Sequence, residues 1–439
     1  MPPTGTEFGR NQVELSRKEI DHLVNRGLAR TFEYVLANSP FYRKRFRVSG
    51  LQQGDVKSVK DLTRLPFTSK QDIAEAGREM WCVSPDDVID VSTTSGTTGA
   101  PTLYPMTRGD IERLGYNEAL CFDCAGLTKK DTVLLAVTMD RCFIAGLAYF
   151  EGLRRIGATV VRVGCASPMM ALSMMEKLDA TAIVSVPSFL KKIADHAAEK
   201  NLDLTKSSVK KLVCIGEPVR TRTFELTPLG RQITQSWGAQ IYSTYGVTEL
   251  ATSFCECGAG RGGHLLPELI WAEIVDDQGR ATPAGQVGEI VATTFGVEAM
   301  PLMRFKTGDC SFVINEQCTC GRWTARIGPI VGRKNQMMKI KGTTVFPAAV
   351  QAVLDGIEEV AGYVMVVTSE SSLSDQLEII AAVKADEART RRKIQEHLQA
   401  ELKVTPSVRI ADLNQVESLQ QKQDYRKKNI FIDRRSQNP

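Results

Sequence analysis

Short apolar runs alternate with helical patterns through the middle of this chain. "DTVLLAVT" (131–138) has the pattern of a buried strand, 144–156 that of a helix rich in small residues, and "GATVVRVG" (157–164) that of a second strand. "MMALSMMEKLDA" (169–180) is helical, "TAIVSVPS" (181–188) is a third strand and 189–199 another helix. "VKKLVCIGEP" (209–218) is a fourth strand, ending in a Gly-Glu-Pro turn. Strands alternating with helices predict a parallel sheet covered on both faces. Upstream, Leu15, Ile20, Leu23, Leu28 and Phe32 form an apolar stripe that predicts a helix over 15–37. "LPFTSKQDI" (65–73) reads as a loop entering a helix with Ser69 as its N-cap. After about residue 266 the texture changes to short alternating strands with Gly/Asp turns, which predicts antiparallel pairing. From 345 to 435, helices at 347–355 and 387–401 and strands at 361–368 and 377–384 predict a second, smaller domain.

The fold class expected is therefore α/β. A large N-terminal domain of mixed and parallel sheets flanked by helices carries a smaller antiparallel β subdomain, and a small α+β domain follows. A chain of 439 residues has room for two or three domains with real cores.

Composition changes this picture little. The hydrophobic fraction of 43% and charged fraction of 24% are ordinary for a globular protein, and a net charge of +4 argues for neither nucleic acid nor membrane as partner. The first thirty residues mix Glu7, Arg10, Glu14, Arg17, Lys18 and Asp21, so no export signal is expected. The most apolar region, 133–150, is broken by Asp140 and Arg141. Eleven cysteines, an odd number without an export signal, favour a reducing cytoplasm. Cys142, Cys165 and Cys214 stand in apolar contexts and are expected as buried free thiols. Two clusters differ: Cys255 with Cys257, and Cys318 with Cys320. Together with a histidine beside the first pair, they offer enough donors for a tetrahedral zinc site.

"TTSGTTGAPT" (93–102) is too rich in hydroxyls to build a core. Its backbone N–H groups, hydroxyls and glycines suit a phosphate cradle. Ala100 stands where a Walker A loop needs lysine, so a balancing cation has to come from elsewhere.

This loop closely resembles the phosphate loop of the adenylate-forming superfamily of acyl-CoA synthetases. "YSTYGVTEL" (242–250), "MRFKTGD" (303–309) and "VGRKNQMMKIKGTTVFP" (331–347) resemble three further motifs of that superfamily, in the same order. "SPFYRKRF" (39–46), "DLTRLPFTSKQDI" (61–73), "KGTTVFPAAVQAVL" (341–354) and "FIDRR" (431–435) are similar to its phenylacetate–CoA ligase branch, so the likeness runs from about 39 to 435.

The resemblance implies a two-step reaction: ATP and a carboxylic acid give an acyl-adenylate and pyrophosphate, and coenzyme A then takes the acyl group and releases AMP. It implies that Ser95, Gly96, Thr97, Thr98 and Gly99 wrap the β- and γ-phosphates. Tyr245, followed by Gly246, stacks on adenine with Gly216, Glu217 and Pro218 behind the ring. Thr248 touches the α-phosphate, Glu249 holds Mg²⁺, and Asp309 and Arg333 hold the ribose. The missing cation falls at Lys427, with Lys428 as rival and Arg426 in place of the usual glycine. The implied domains are 1–332 for adenylation, with a zinc-bearing β subdomain within about 251–332, a hinge at 333–336 and a lid at 337–439. Asn335 replaces the usual hinge aspartate. Some members of the branch carry structural zinc on a pattern that corresponds here to Cys257, His264, Cys318 and Cys320, with Cys255 the alternative.

The implied partners are ATP, coenzyme A and a small carboxylic acid, aryl or arylacetic by branch, with a homodimer left open. Pocket aromatics would be Phe143, Phe189 and Tyr242. A short branched or hydroxylated acid, a carrier-protein or amine acceptor, and a non-catalytic nucleotide-binding regulator are the other readings.

Overall fold

The computed structural model describes residue 13 and residues 15–94, 102–340, 343–371, 374–384, 386–421 and 429–435. Two units are separable: Gly308–Cys310 with Val331–Pro439, and the rest of the chain.

In the larger unit, helices α1 (Arg17–Asn38), α2 (Pro40–Val48) and α3 (Lys70–Ala76) come first. Ser16 and Ser69 close capping boxes with Glu19 and Asp72, and Ser39 ends α1 while capping α2, so the local sequence fixes all three starts. Strands β1 (Asp90–Thr93) and β2 (Leu103–Met106) form an antiparallel hairpin, and α4 (Arg108–Cys124) follows.

Then comes the alternating region: β3 (Thr132–Ala136), α5 (Ile144–Ile156), β4 (Thr159–Arg162), α6 (Pro168–Lys177), β5 (Ala182–Ser185), α7 (Pro187–Glu199), β6 (Lys211–Ile215), α8 (Pro228–Trp237) and β7 (Gln240–Val247). With β8 (Thr252–Cys255), these strands make one six-stranded sheet in the order β4-β3-β5-β6-β7-β8. All its pairs are parallel except β7–β8. One core lies between the sheet and α6–α8, filled by Leu172, Leu190, Ile193 and Trp237. The other lies on the α4–α5 face, with Phe122, Tyr149 and Leu153. Coverage of both faces is what the continuous apolar strands require.

The β-rich part of this unit has β9 (Gly263–His264), β10 (Ile270–Val275), β11 (Gly288–Thr294), β12 (Phe305–Ser311), β13 (Val313–Ile314) and β14 (Arg326–Ile327). Strands β10 and β11 pair antiparallel, as the alternation predicted, and β13-β14-β9 is a small antiparallel sheet.

The smaller unit takes Gly308–Cys310 of β12. It adds β15 (Gly332–Arg333), β16 (Met338–Ile340), β17 (Thr343–Val345), α9 (Pro347–Leu354), β18 (Val360–Ser371), β19 (Ser374–Val383), α10 (Glu387–Leu402), β20 (Ser407–Ile410), α11 (Leu413–Gln420) and β21 (Phe431–Asp433). Its four-stranded sheet runs β20-β19-β18-β21, and α9 and α10 bury Val350, Leu354, Ile394 and Leu398 in its core. No helix among the described residues is long and apolar enough to cross a membrane.

One expectation needs correction. Cys142 and Cys165 are exposed, and only Cys214 of the three is buried. The exposed pair lies just past the ends of β3 and β4, Cys142 in a left-handed turn with Arg141, where the chain has left the sheet. Of the three aromatic residues expected near the acid, Phe189 packs in the core under α6–α8, while Tyr242, with Phe143 packed nearby, belongs to the α4–α5 side.

Candidate functional site

The parallel strands deliver their C-terminal ends to one edge, the usual ligand edge of such sheets. After β6 the chain turns at Gly216, whose φ of 71° is a conformation that other residues rarely adopt. Glu217 then reaches sideways. Its carboxylate accepts the Ser188 N–H (2.9 Å) and hydroxyl (2.8 Å) at the start of α7. This carboxylate ties the ends of β5 and β6 together, a positioning role the motif alone did not reveal.

Strand β7 carries Tyr245 and Gly246 and runs into a tight 3₁₀ turn, Thr248–Leu250, closed by Ala251 in the left-handed region (φ 43°). The Tyr245 ring lies 5.9 Å from that of Phe254, and Gly246 faces Ser253 in register. Glu249 is 4% exposed. Its Oε1 lies 3.4 Å from Nζ of Lys70, the first residue of α3.

Helix α4 holds this turn from behind with polar side chains. The buried Arg113 guanidinium donates to the carbonyls of Ala251 (2.7 Å), Leu269 (2.8 Å) and Phe295 (2.7 Å) and to the Thr252 hydroxyl (2.9 Å). Asn117 brackets Ser253, accepting from its N–H (2.9 Å) and donating to its carbonyl (3.2 Å). Glu118 accepts the Ser253 hydroxyl at 2.7 Å, its other oxygen has no partner among the described residues, and burial pushes its carboxyl up to about 7. Sequence reasoning named none of these three. Polar residues at 110, 113 and 117 follow a helical period, and that was the available signal.

In the smaller unit, Asp309 and Arg333 are register partners, with Oδ1 and Nε 3.6 Å apart. The segment after Arg333 is anchored by Arg435, which donates to the carbonyls of Asn335 (3.0 Å) and Met337 (2.7 Å) and to Asp375 (3.2 Å). Ser95, Gly96, Thr97, Thr98 and Gly99, and Lys427 with Lys428, lie outside the described residues.

A second cluster forms in the β-rich part. The ligand atoms of Cys257, His264, Cys318 and Cys320 all lie within 4.8 Å of one another. Cys257 and Cys318 sulfurs are 3.6 Å apart, and Cys320 Sγ lies 3.5 Å from His264 Nε2. The other ring nitrogen, Nδ1, meets the Thr324 hydroxyl at 2.9 Å. Burial, with Arg322 and Arg326 nearby, pushes His264 down to about 3, so the ring is neutral, as a metal ligand must be. Burial raises the Cys257 thiol. It opposes the Cys320 thiolate too, but hydrogen bonds from Arg322, Cys318 and Cys257 together outweigh it and hold that thiol below its usual value. Three thiols and an imidazole at these separations fit a tetrahedral zinc ion. Cys255 is not part of the cluster: it accepts from Thr244 (3.4 Å) and packs in the α4–α5 core.

Comparison with known proteins gives the class. The AMP-binding enzyme family matches residues 35–299, and the C-terminal domain of AMP-binding enzymes matches 342–435. This chain belongs to the AMP-binding enzyme family. It is 30% identical to the phenylacetate-coenzyme A ligase of Thermus thermophilus over 83% of this chain and 82% of that one. It is 25% identical to the phenylacetate-coenzyme A ligase of Escherichia coli over 83% of each. A crystal structure of 2-hydroxyisobutyryl-CoA ligase in the postadenylation state has the same fold, with a TM-score of 0.83 and 23% identity over 99% of this chain and 94% of that one. The chain is an AMP-forming acid–CoA ligase.

Proposed function

We propose that this ligase activates an aryl or arylacetic acid. The observation that carries the site assignment is the buried Glu249 carboxylate in the turn directly after Tyr245, at the ligand edge of the parallel sheet. The acid class rests on phenylacetate-coenzyme A ligases at 25–30% identity over most of the chain.

The acid's carboxylate attacks the α-phosphorus of ATP and pyrophosphate leaves. Tyr245 and the Gly216–Pro218 turn flank the adenine, and the Asp309 carboxylate, which can accept two hydrogen bonds, takes the ribose diol with Arg333 beside it. Thr248 reaches the α-phosphate. Ser95, Gly96, Thr97, Thr98 and Gly99 supply N–H and hydroxyl donors to the β- and γ-phosphates. Glu249 offers the hard carboxylate oxygen that Mg²⁺ prefers, and that ion would neutralise phosphate charge. Lys427, on a lid of residues 337–439 that turns about a hinge at 333–336, brings the remaining cation to the first step. Coenzyme A thiolate then attacks the acyl carbon and AMP departs. Pre-placed charge and orientation dominate both steps.

Cys257, His264, Cys318 and Cys320 hold a structural zinc: four protein ligands leave no open coordination position for chemistry. A reducing cytoplasm is the compartment we infer, and eleven cysteines, all free thiols, support that reading.

A panel of benzoic, phenylacetic, aminobenzoic and short hydroxylated acids, assayed by pyrophosphate release with and without coenzyme A, tests the reading. Highest kcat/KM with an aromatic acid supports it. Preference for a short branched or hydroxylated acid overturns it.

A further inference from the structure

Lys70 breaks a local rule. It is the first residue of α3, where the helix dipole disfavours a cation. A residue that offends its own helix is expected to serve something outside it. Its backbone is firmly held: Ser69 and Asp72 close the capping box, and Arg45 clamps Asp72 at 2.6 Å. Its side chain is 55% exposed, yet Nζ lies 3.4 Å from the Glu249 carboxylate, which is 6% exposed. Lys70 is the cation paired with Glu249 among the described residues. A carboxylate so deeply buried is costly to leave without a counter-charge.

We propose that Lys70 is a positioning residue that fills the cation place at Glu249 while no metal is bound, and that the divalent ion arriving with ATP displaces it. This rests on the reading of Glu249 as the metal-holding carboxylate. A single charge on a flexible, half-exposed stem is easily exchanged for a divalent one. The lysine thus holds the carboxylate aimed between turnovers, and it competes with the incoming metal.

The test is calorimetric binding of a non-hydrolysable ATP analogue across Mg²⁺ concentrations, with melting curves in parallel. Lys70→Met is expected to need about two- to fivefold less Mg²⁺ for half-maximal binding, the scale of a half-exposed ion pair. It should melt below wild type without Mg²⁺ and regain the difference with it. Lys70→Arg, which keeps the charge, should behave as wild type. An unchanged or higher Mg²⁺ requirement in Lys70→Met overturns the proposal. So does weaker binding of the analogue by the same factor with and without Mg²⁺, which would place Lys70 on the nucleotide itself. Glu249→Gln separates the two layers. It should raise the Mg²⁺ requirement and cancel the effect of Lys70→Met. If it leaves the requirement unchanged, the reading of Glu249 is wrong and the proposal falls with it. If it raises the requirement while Lys70→Met does nothing, only the proposal fails.

Discussion

The Cys257–His264–Cys318–Cys320 cluster and the Glu249–Lys70 pair are both gatherings of ionisable groups, and they are built in opposite ways. The first is closed. Four donors face one another, a hydrogen bond between His264 Nδ1 and the Thr324 hydroxyl holds the histidine, and one from Arg322 holds Cys320. The second is open. One buried carboxylate meets one lysine, and the lysine's side of the pair is exposed to solvent. A closed donor set holds its ion for the life of the fold, whereas an open one can exchange it in every cycle. Structure and chemistry should therefore separate cleanly between the two places.

The sharpest way to break that contrast is Glu249→Gln, which keeps shape and removes charge. ATP–pyrophosphate exchange should fall by about 10³-fold or more, with the melting temperature within a few degrees of wild type. Near-wild-type exchange would mean the open site is misplaced. Lys427→Ala should reduce adenylation on the order of 10²-fold while sparing thioester formation from a supplied acyl-adenylate. Lys428→Ala is the control of equal charge one residue away, and the reverse pattern would shift the assignment by one.

At the closed site the expectation inverts. The purified protein should carry about one zinc per chain by elemental analysis. Cys318→Ser with Cys320→Ser should lower the melting temperature by ~10 °C, with activity per folded molecule within about twofold. Protein prepared without chelators yet free of zinc would remove the closed site from the account.

The smallest effect concerns the polar support behind the open site. Burial raises Glu118 from the usual 4.5 to about 7. Between those values the native state keeps a proton that the unfolded chain has lost, so stability falls as pH rises through this window and stays reduced above it. Glu118→Gln should stabilise the protein at pH 8, by about 3 kcal/mol, and should be neutral near pH 4. Melting curves across pH check the sign. Equal shifts at both ends would show packing, not ionisation.

Much of this architecture was legible because apolar residues dominate the interfaces. The α5 pattern predicted 144–156 and the helix is Ile144–Ile156, while the alternation of strands and helices from β3 to β6 follows the apolar runs closely. Helix α4 went unrecognised for the opposite reason: Asp110, Arg113, Asn117 and Glu118 are buried on it, so a hydrophobic pattern does not mark its inner face. Helices α2 and α11 are short and had no clear stripe. At the site, Tyr245 and Glu249 were named from a motif that resembles the superfamily's, and the four metal-ligand candidates from the pattern of the resembled branch; the structure brings those four together. Lys70, Arg113 and the carboxylate of Glu217 act through contacts between residues distant in sequence, such as the 179 positions separating Lys70 from Glu249, which a linear pattern cannot carry. Cys142 and Cys165 misled because apolar neighbours in sequence do not ensure burial once the chain leaves the sheet.

The most direct test of the central claim is a single-turnover experiment with enzyme in excess over ATP and an accepted acid. Without coenzyme A, pyrophosphate and enzyme-bound acyl-adenylate should form together, with no free AMP beyond slow hydrolysis. Adding coenzyme A should release AMP and acyl-CoA in equal amounts. Formation of ADP and phosphate, or acyl-CoA without a prior adenylate, would contradict the account.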